Sequence, residues 1–463
     1  KMVSAEAVEE EEEEEEYNEV PEMWWTLGPT EFAAWKDRLL GRKKGQGVPD
    51  LRAQLGGGVH SAFVAASSAS YVSSGLDEAA ARDDVQEQLS IALTEWSCDS
   101  IPLLLSHASP LMLLAGRILE KWELFDRLPI SRPALLRFLF LVEEGYPDPR
   151  SKDHNNPYHN RAHAMDVVQA THVMIEHSGL RQHVDDLDIL AMIIAAAVHD
   201  FRHPGLNNDF LMRTSTRLAI TYNDRSVLEN FHLSSAFELM QDEGCNFIAD
   251  LEEEERGRFR RLVIELVLST DLKRHFELLS QFRLKIGTMV SAANAGAGDG
   301  GVPERPPPTI LSKEVTASSG GIDTPKSLAG DAPGQSFGWT VRQVGEALEM
   351  DESTRILAMQ VAVKLSDLSH LTKPRDIHVR WVMALQEEFC RQGDLELEMG
   401  LEPSPLNKRG RRGVVSSQVG FFEVIVLPIF RTWASVFPDY HPVLEALESN
   451  YRYWKDLDMP HAE

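Results

Sequence analysis

Residues Tyr158–Gln169 read YHNRAHAMDVVQ, and the rest of the chain is best understood outward from this stretch. His159 and His163 stand four apart, and Asp166 follows three later. On a helix these positions share one face, so two imidazoles and a carboxylate point the same way. Next along the chain, Asp185–Val198 is almost wholly apolar and predicts a buried helix running straight into His199-Asp200-Phe201-Arg202-His203. Histidine is the commonest metal ligand, and an adjacent aspartate adds a hard oxygen donor. Catalytic metals take three or four protein ligands and keep a position open. The candidate set is His163, His199, Asp200 and a distant carboxylate. Asp367, at the end of an otherwise apolar helical segment, fits that place, and equally fits a helix cap. The weight lies in the joint occurrence of these residues, not in any one of them.

Apolar spacings of three and four predict further helices over Val85–Trp96, Leu111–Trp122, Pro133–Val142, Arg217–Gln241 and Arg258–Leu284. The same pattern returns in Val341–Lys364, Ile377–Gln392 and Val419–Phe437. Alternating runs bounded by turn residues are scarce, so the expected fold is all-α. Residues 291–338, rich in Ala, Gly, Ser and Pro, read as a flexible insertion within one domain that spans 76–463. The shorter loop Leu401–Ser416 carries a basic cluster expected to be a solvated face.

At the other end, residues 1–75 divide into an acidic tail, a Trp-rich amphipathic segment and a linker rich in Gly, Ser and Ala. Phe32, Trp35, Leu39 and Leu40 share one helical face ahead of the basic Arg42-Lys43-Lys44. Such a helix suits a calmodulin-type partner, a membrane surface, or docking on its own domain or a neighbouring protein. Residues 17–60 are therefore the candidate partner-binding region. The start at Lys1 suggests a piece of something longer.

The formal charge is −26, and the Glu9–Glu16 run supplies eight of those charges. An acidic surface argues against binding a nucleic-acid polymer through its phosphates. Three widely spaced cysteines give neither a disulfide framework nor a thiolate zinc site. With no run of 18 uninterrupted apolar residues and no secretory signal, a cytoplasmic address is expected, with anchoring to a larger assembly as a variant.

Six ordered motifs now point to one family. They are YHNRAHAMDVVQ from Tyr158, AAAVHDFRHPGLNNDFL from Ala195, LAITYNDRSVLENFH from Leu218, VLSTDLKRHF from Val267, KLSDLSHLTKP from Lys364 and SQVGFF from Ser417. The chain resembles the class I cyclic nucleotide phosphodiesterase catalytic domain, within the HD metal-dependent phosphohydrolase group, over roughly residues 85–457. That resemblance implies a compact multi-helix fold with a binuclear metal site between helices. It implies hydrolysis of 3′,5′-cyclic AMP and/or cyclic GMP to 5′-monophosphates, a signal-transduction activity, by a metal-bridging hydroxide. His163, His199, Asp200 and Asp367 would hold a zinc-type ion, and Asp200 would bridge to a second ion, magnesium or manganese. His203, Glu229 and Thr270 would position the waters of that ion, with Asp271 nearby.

The resemblance separates the two histidines of the opening stretch. His163 goes to the metal, and His159 becomes the general acid for the leaving ribose oxygen, oriented by the Glu229 carboxylate. Asp166 then becomes a supporting carboxylate behind the ligands. Gln418 would read the purine edge and Phe421 would stack on the base. Leu368 and Leu385 would form the opposite apolar wall, with Tyr158 and Asn208 near the phosphate. Arg202 stands where an acidic residue is common, and Phe231 where a histidine is frequent. His370, with His378 and Trp381, is closest in pattern to the calmodulin-activated, dual-specificity class. A phosphodiesterase-like scaffold with little activity is the alternative, disfavoured because every ligand and the acid are present.

Overall fold

The computed structural model describes residues 78–149, 156–296, 350–409 and 411–458. The acidic tail, the Trp-rich segment, the linker and most of the 291–338 insertion lie outside these residues. Among the described residues there is no strand, and the expected all-α architecture is present. In chain order, α1 (Glu78–Ala92), α2 (Ser100–Ser106), α3 (Pro110–Lys121) and α4 (Arg132–Gly145) lead to α5 (Arg161–His177) and α6 (Asp186–Val198). Then come α7 (Asn208–Arg213), α8 (Arg217–Thr221), α9 (Val227–Leu239), α10 (Glu253–Leu268) and α11 (His275–Gly296). The described part ends with α12 (Glu352–Asp367), α13 (Arg375–Glu398), α14 (Arg411–Phe421), α15 (Leu427–Val436) and α16 (His441–Asp458). Short turns such as Leu124–Arg127 link them.

The core is built around α5, α6 and α12. α6 is buried from Leu187 to Val198 and packs on α5 and α10, while α5 also packs on α3 and α12. Each fully buried aliphatic side chain here contributes about 1.5–3 kcal/mol. A capping box starts α6: Asp185 accepts from Asp188 N at 2.9 Å, and Asp188 accepts from Asp185 N at 3.1 Å. Asp188 is fully buried and paired with Arg258 at 2.5 Å and Arg355 at 3.3 Å, which fastens α6 to α10 and α12.

Two long helices expected from apolar spacing are broken. Arg217–Gln241 divides into α8 and α9 because Asn223, Asp224 and Ser226 have φ of 52°, 59° and 40°. Asn and Asp tolerate that left-handed region best among non-glycine residues. Arg258–Leu284 divides at residues 269–274, where Lys364 Nζ donates to the carbonyls of Ser269, Thr270 and Asp271 at 3.0–3.3 Å. A buried side chain thus takes over carbonyls that a continuing helix would have bonded. The insertion also begins later than expected, since α11 runs through Gly296.

Gly413–Val436 is long and apolar enough to cross a membrane by length and composition, a stretch that a count of uninterrupted apolar residues passes over. Its Phe422, Val426, Ile429, Phe430 and Trp433 are buried in the core, as on the inner side of a packed helix. The basic loop is partly pinned, since Arg409 pairs with Asp394 at 2.6 Å and Glu387 at 2.9 Å.

One turn beyond His163, α5 ties the core together. Asp166 accepts from Ser100 Oγ at 2.6 Å and Ser369 Oγ at 2.9 Å, and its carboxylate lies 3.5 Å from Lys373 Nζ. Lys373 is itself buried and also donates to Gln169 Oε1 and Trp96 O, each at 2.9 Å. Asp166→Ala leaves that ammonium without its counter-charge, and should cost about 3–5 kcal/mol of stability. Urea unfolding reads the effect, and a loss below about 1 kcal/mol would deny Asp166 this anchoring role.

Candidate metal centre

Three helix ends converge on one point. Asn160 caps the start of α5, accepting from Ala162 N, and the first turn then turns His163 inward. α6 ends at His199, whose Nδ1 donates to Ala196 O at 2.9 Å and leaves Nε2 as the free donor pair. Tyr146 Oη donates to Ala197 O at 3.0 Å and accepts from Asp200 N at 3.2 Å, which fixes Asp200 beside it. α12 ends at Asp367.

The donor atoms lie edge to edge. His163 Nε2 is 3.2 Å from His199 Nε2 and 3.2 Å from Asp367 Oδ1, and 3.5 Å from Asp200 Oδ2. His199 Nε2 is 3.2 Å from Asp200 Oδ2 and 3.4 Å from Asp367 Oδ1. Donors at about 2.0–2.1 Å around a tetrahedral zinc are separated by about 3.3 Å, and these five separations lie close to that value, so the donor chemistry suits a divalent ion of the zinc type. Burial opposes charge on Asp367, yet hydrogen bonding and charge from His163 and His199 hold its carboxyl well below the usual carboxylate range.

A second donor group of His159, Asp200 and His203 adjoins the first, and Asp200 belongs to both. The His159 and His203 rings stack at 3.9 Å, and His159 Nε2 lies 3.8 Å from Asp200 Oδ2. His232 completes this side: Nδ1 bonds Phe201 O at 2.6 Å, and the buried Nε2 has no hydrogen-bond partner and lies 3.6 Å from Asp200 Oδ1. Burial lowers its pKa to about 4, so the ring is neutral near pH 7.

The carboxylate on His159 is Glu388, not the expected Glu229. Glu388 Oε1 bonds His159 Nδ1, and Oε2 accepts the backbone N–H of Tyr158 at 2.9 Å and of His159 at 3.0 Å. Burial disfavours the charged imidazole, but Glu388 and Asp200 outweigh it and raise the His159 pKa to about 9. Glu229 instead accepts from Asn208 Nδ2 at 3.1 Å, while Asn208 Oδ1 takes Leu228 N at 2.9 Å. Asn208, expected near the phosphate, therefore has its side-chain amide committed to Glu229 and the first turn of α9. Burial, then the charge of Asp271, lifts the Glu229 pKa to about 7. Asp271 accepts from Ser226 Oγ at 2.8 Å and Lys273 N at 2.8 Å, and buried Thr270 donates to Val267 O at 2.8 Å.

On the other side of the donors, Tyr158 is buried against His163, His370 and Trp381, with ring centroids 4.6, 5.7 and 5.6 Å away. His370 stacks on His378 at 5.7 Å, and Trp454 Nε1 donates to His378 Nε2 at 2.7 Å. Gln418 and Phe421 sit half-buried near the end of α14, and Gln418 Oε1 is buried without a partner. Leu368 is buried beside Asp367, and Leu385 packs half-buried on the core.

The family model described as 3′5′-cyclic nucleotide phosphodiesterase matches residues 158–447. "Probable 3′,5′-cyclic-AMP phosphodiesterase pde-4" of Caenorhabditis elegans is 35% identical over 371 residues, covering 80% of this chain and 46% of that protein. The 3′,5′-cyclic-AMP phosphodiesterase 4C of Rattus norvegicus is 34% identical over 383 residues, covering 81% of this chain and 61% of that protein. The chain thus matches only part of the length of these relatives, 46% of the first and 61% of the second. The crystal structure of the phosphodiesterase domain of Salpingoeca rosetta rhodopsin phosphodiesterase aligns with a TM-score of 0.60 at 25% identity, covering 81% of this chain and 94% of that one. Both curated relatives carry cyclic-AMP names. Neither carries the calmodulin-activated, dual-specificity designation that His370, His378 and Trp381 had suggested.

Proposed function

Because the chain belongs to the 3′,5′-cyclic nucleotide phosphodiesterase family, we propose that it hydrolyses 3′,5′-cyclic AMP to 5′-AMP. The observation that carries this reading is the convergence of four donor atoms beside an imidazole held by its own buried carboxylate. His163, His199, Asp200 and Asp367 would hold a zinc-type ion, and Asp200, with His203, Glu229, Thr270 and Asp271 around it, would serve a second ion such as magnesium. Divalent ions bound there would acidify a water and neutralise phosphate oxygens.

The chain's own groups supply the rest. Glu388 accepts the Nδ1 proton of His159, so Nε2 is the nitrogen that faces the centre and carries the proton to be given up. In-line attack at phosphorus expels the ribose 3′ oxygen, a poor leaving group unless protonated. A charged imidazole at that point removes the obstacle. Buried Tyr158, Leu368 and Trp381 wall one side of the donors with apolar surface, which strengthens the charge interactions there. Gln418 reads the base edge through an amide whose oxygen finds no partner within the protein, and Phe421 provides the apolar face beneath the ring.

Purified protein supplied with zinc and magnesium should convert cyclic AMP to 5′-AMP, and chelation should abolish the conversion. Failure to turn over cyclic AMP with full metal content would overturn the proposal, whatever the action on cyclic GMP. Gln418→Ala should raise KM about ten- to hundred-fold, from the loss of one or two hydrogen bonds in a dry slot, with a much smaller change in kcat. A steady-state titration checks it, and an unchanged KM would remove Gln418 from base recognition.

A further inference from the structure

Three buried polar residues form a stripe along one face of α13 at a spacing of four: Glu388, Gln392 and Glu396. The first holds His159. The other two hold a different part of the site. Gln392 Oε1 accepts Asn207 N at 2.9 Å, and its Nε2 donates to Glu396 Oε1 at 3.0 Å. Glu396 also takes Arg213 Nη1 at 3.4 Å and Asn407 Nδ2 at 3.1 Å, and Arg213 Nη2 reaches Glu402 O at 3.1 Å. Gly393 lets the 401–407 loop close on the helix, since a Cβ there would stand 2.1 Å from Asn407 O.

What Gln392 and Glu396 hold is an arm with little core of its own. Phe210, Leu211, Ala219, Val227 and Leu228 form a small apolar cluster separate from the main core, against which Leu395 of α13 packs. The same arm contains four of the non-glycine residues with positive φ: Ser215, Asn223, Asp224 and Ser226. A strained segment with so few apolar contacts opens locally unless polar contacts pin it. The arm carries Asn208, and through it Glu229, so its register against His159 is set where it meets α13.

We propose that Gln392 and Glu396 are positioning residues for the reaction, and that α13 is the common rail aligning the Asn207–Glu229 arm with His159. The inference rests on the phosphodiesterase reading for its kinetic consequence but not for its structural one. Two measurements on Gln392→Ala, Glu396→Ala and Glu396→Gln test it. In hydrogen exchange, amides of residues 207–229 should exchange about tenfold faster or more, with those of 162–175 unchanged. In steady-state assays of Gln392→Ala, kcat should fall about ten- to hundred-fold while KM stays within about twofold, because Gln392 bonds Asn207 and Glu396 and not the helix that carries Gln418 and Phe421. Glu396→Gln keeps its hydrogen-bonding shape and should fall between Glu396→Ala and wild type.

Should Glu396→Ala fail to fold, Gln392→Ala, which leaves Glu396 with Arg213 and Asn407, carries both measurements. Unchanged exchange in 207–229, or exchange raised equally across the whole protein, would overturn the positioning role. An inactive wild type would sink the phosphodiesterase reading while leaving the exchange result to decide this one. Normal exchange with wild-type kcat would sink this inference alone.

Discussion

Asp367→Ala should empty the four-donor site and reduce cyclic nucleotide hydrolysis by on the order of 10³-fold or more. Its carboxylate is one edge of the donor set, 3.2 Å from His163 Nε2 and 3.4 Å from His199 Nε2. Removing it leaves two neutral imidazoles and one shared carboxylate, a poorer match in both charge and number for a tightly held divalent ion. Elemental analysis after dialysis reads the metal directly, and activity reads the consequence. Retention of a full metal complement would place Asp367 outside the ligand set. It would return that residue to the cap of α12, the alternative its sequence position leaves open.

His159→Asn should behave in the opposite way toward metal. The donor set of His163, His199, Asp200 and Asp367 stays complete, so metal content should hold while kcat drops about 10²–10⁴-fold, the usual range for loss of a general acid. Loss of metal in this variant would make His159 a ligand instead. The same residue gives a pH test in metal-free protein. Its folded pKa, about 9, lies above the ordinary 6.5. A group raised in this way adds stability that is fully present below pH 6.5 and is lost as pH rises through about 9. Urea unfolding of metal-free wild type should therefore weaken between those limits more than that of His159→Asn. Parallel curves would mean that Glu388 and Asp200 do not hold the charge.

The donor set was legible because it is written in short local motifs, and the helices that carry it because their apolar spacing is strong. Glu388 was not legible in the same way. It sits in Gln386-Glu387-Glu388 on an amphipathic helix, where a glutamate normally faces water. Its meaning comes from a contact 229 residues away with His159. The available signal was its shared face with Gln392 and Glu396, a polar stripe spaced by four. His232 lies outside the set read from the motifs, and only the fold brings its ring to 3.6 Å from Asp200. The break between α8 and α9 was present as Asn223-Asp224-Arg225-Ser226, a turn-forming run masked by the apolar spacing on either side.

The last helix has a consequence for how the protein is made. From α16, Asn450 donates to Leu371 O and Lys373 O, each at 2.9 Å, and Trp454 meets His378 beneath His370. A chain leaving the ribosome from its N-terminal end releases every donor of the metal set well before these contacts exist. Synthesis therefore passes through a stage in which His163, His199, Asp200 and Asp367 are all present in the chain but the contacts of α16 beneath His370 are missing. Until α16 docks, His378 lacks the Trp454 donor and the carbonyls of Leu371 and Lys373 lack the Asn450 amide, so the stack of His370 on His378 is the last part of this wall to be fixed.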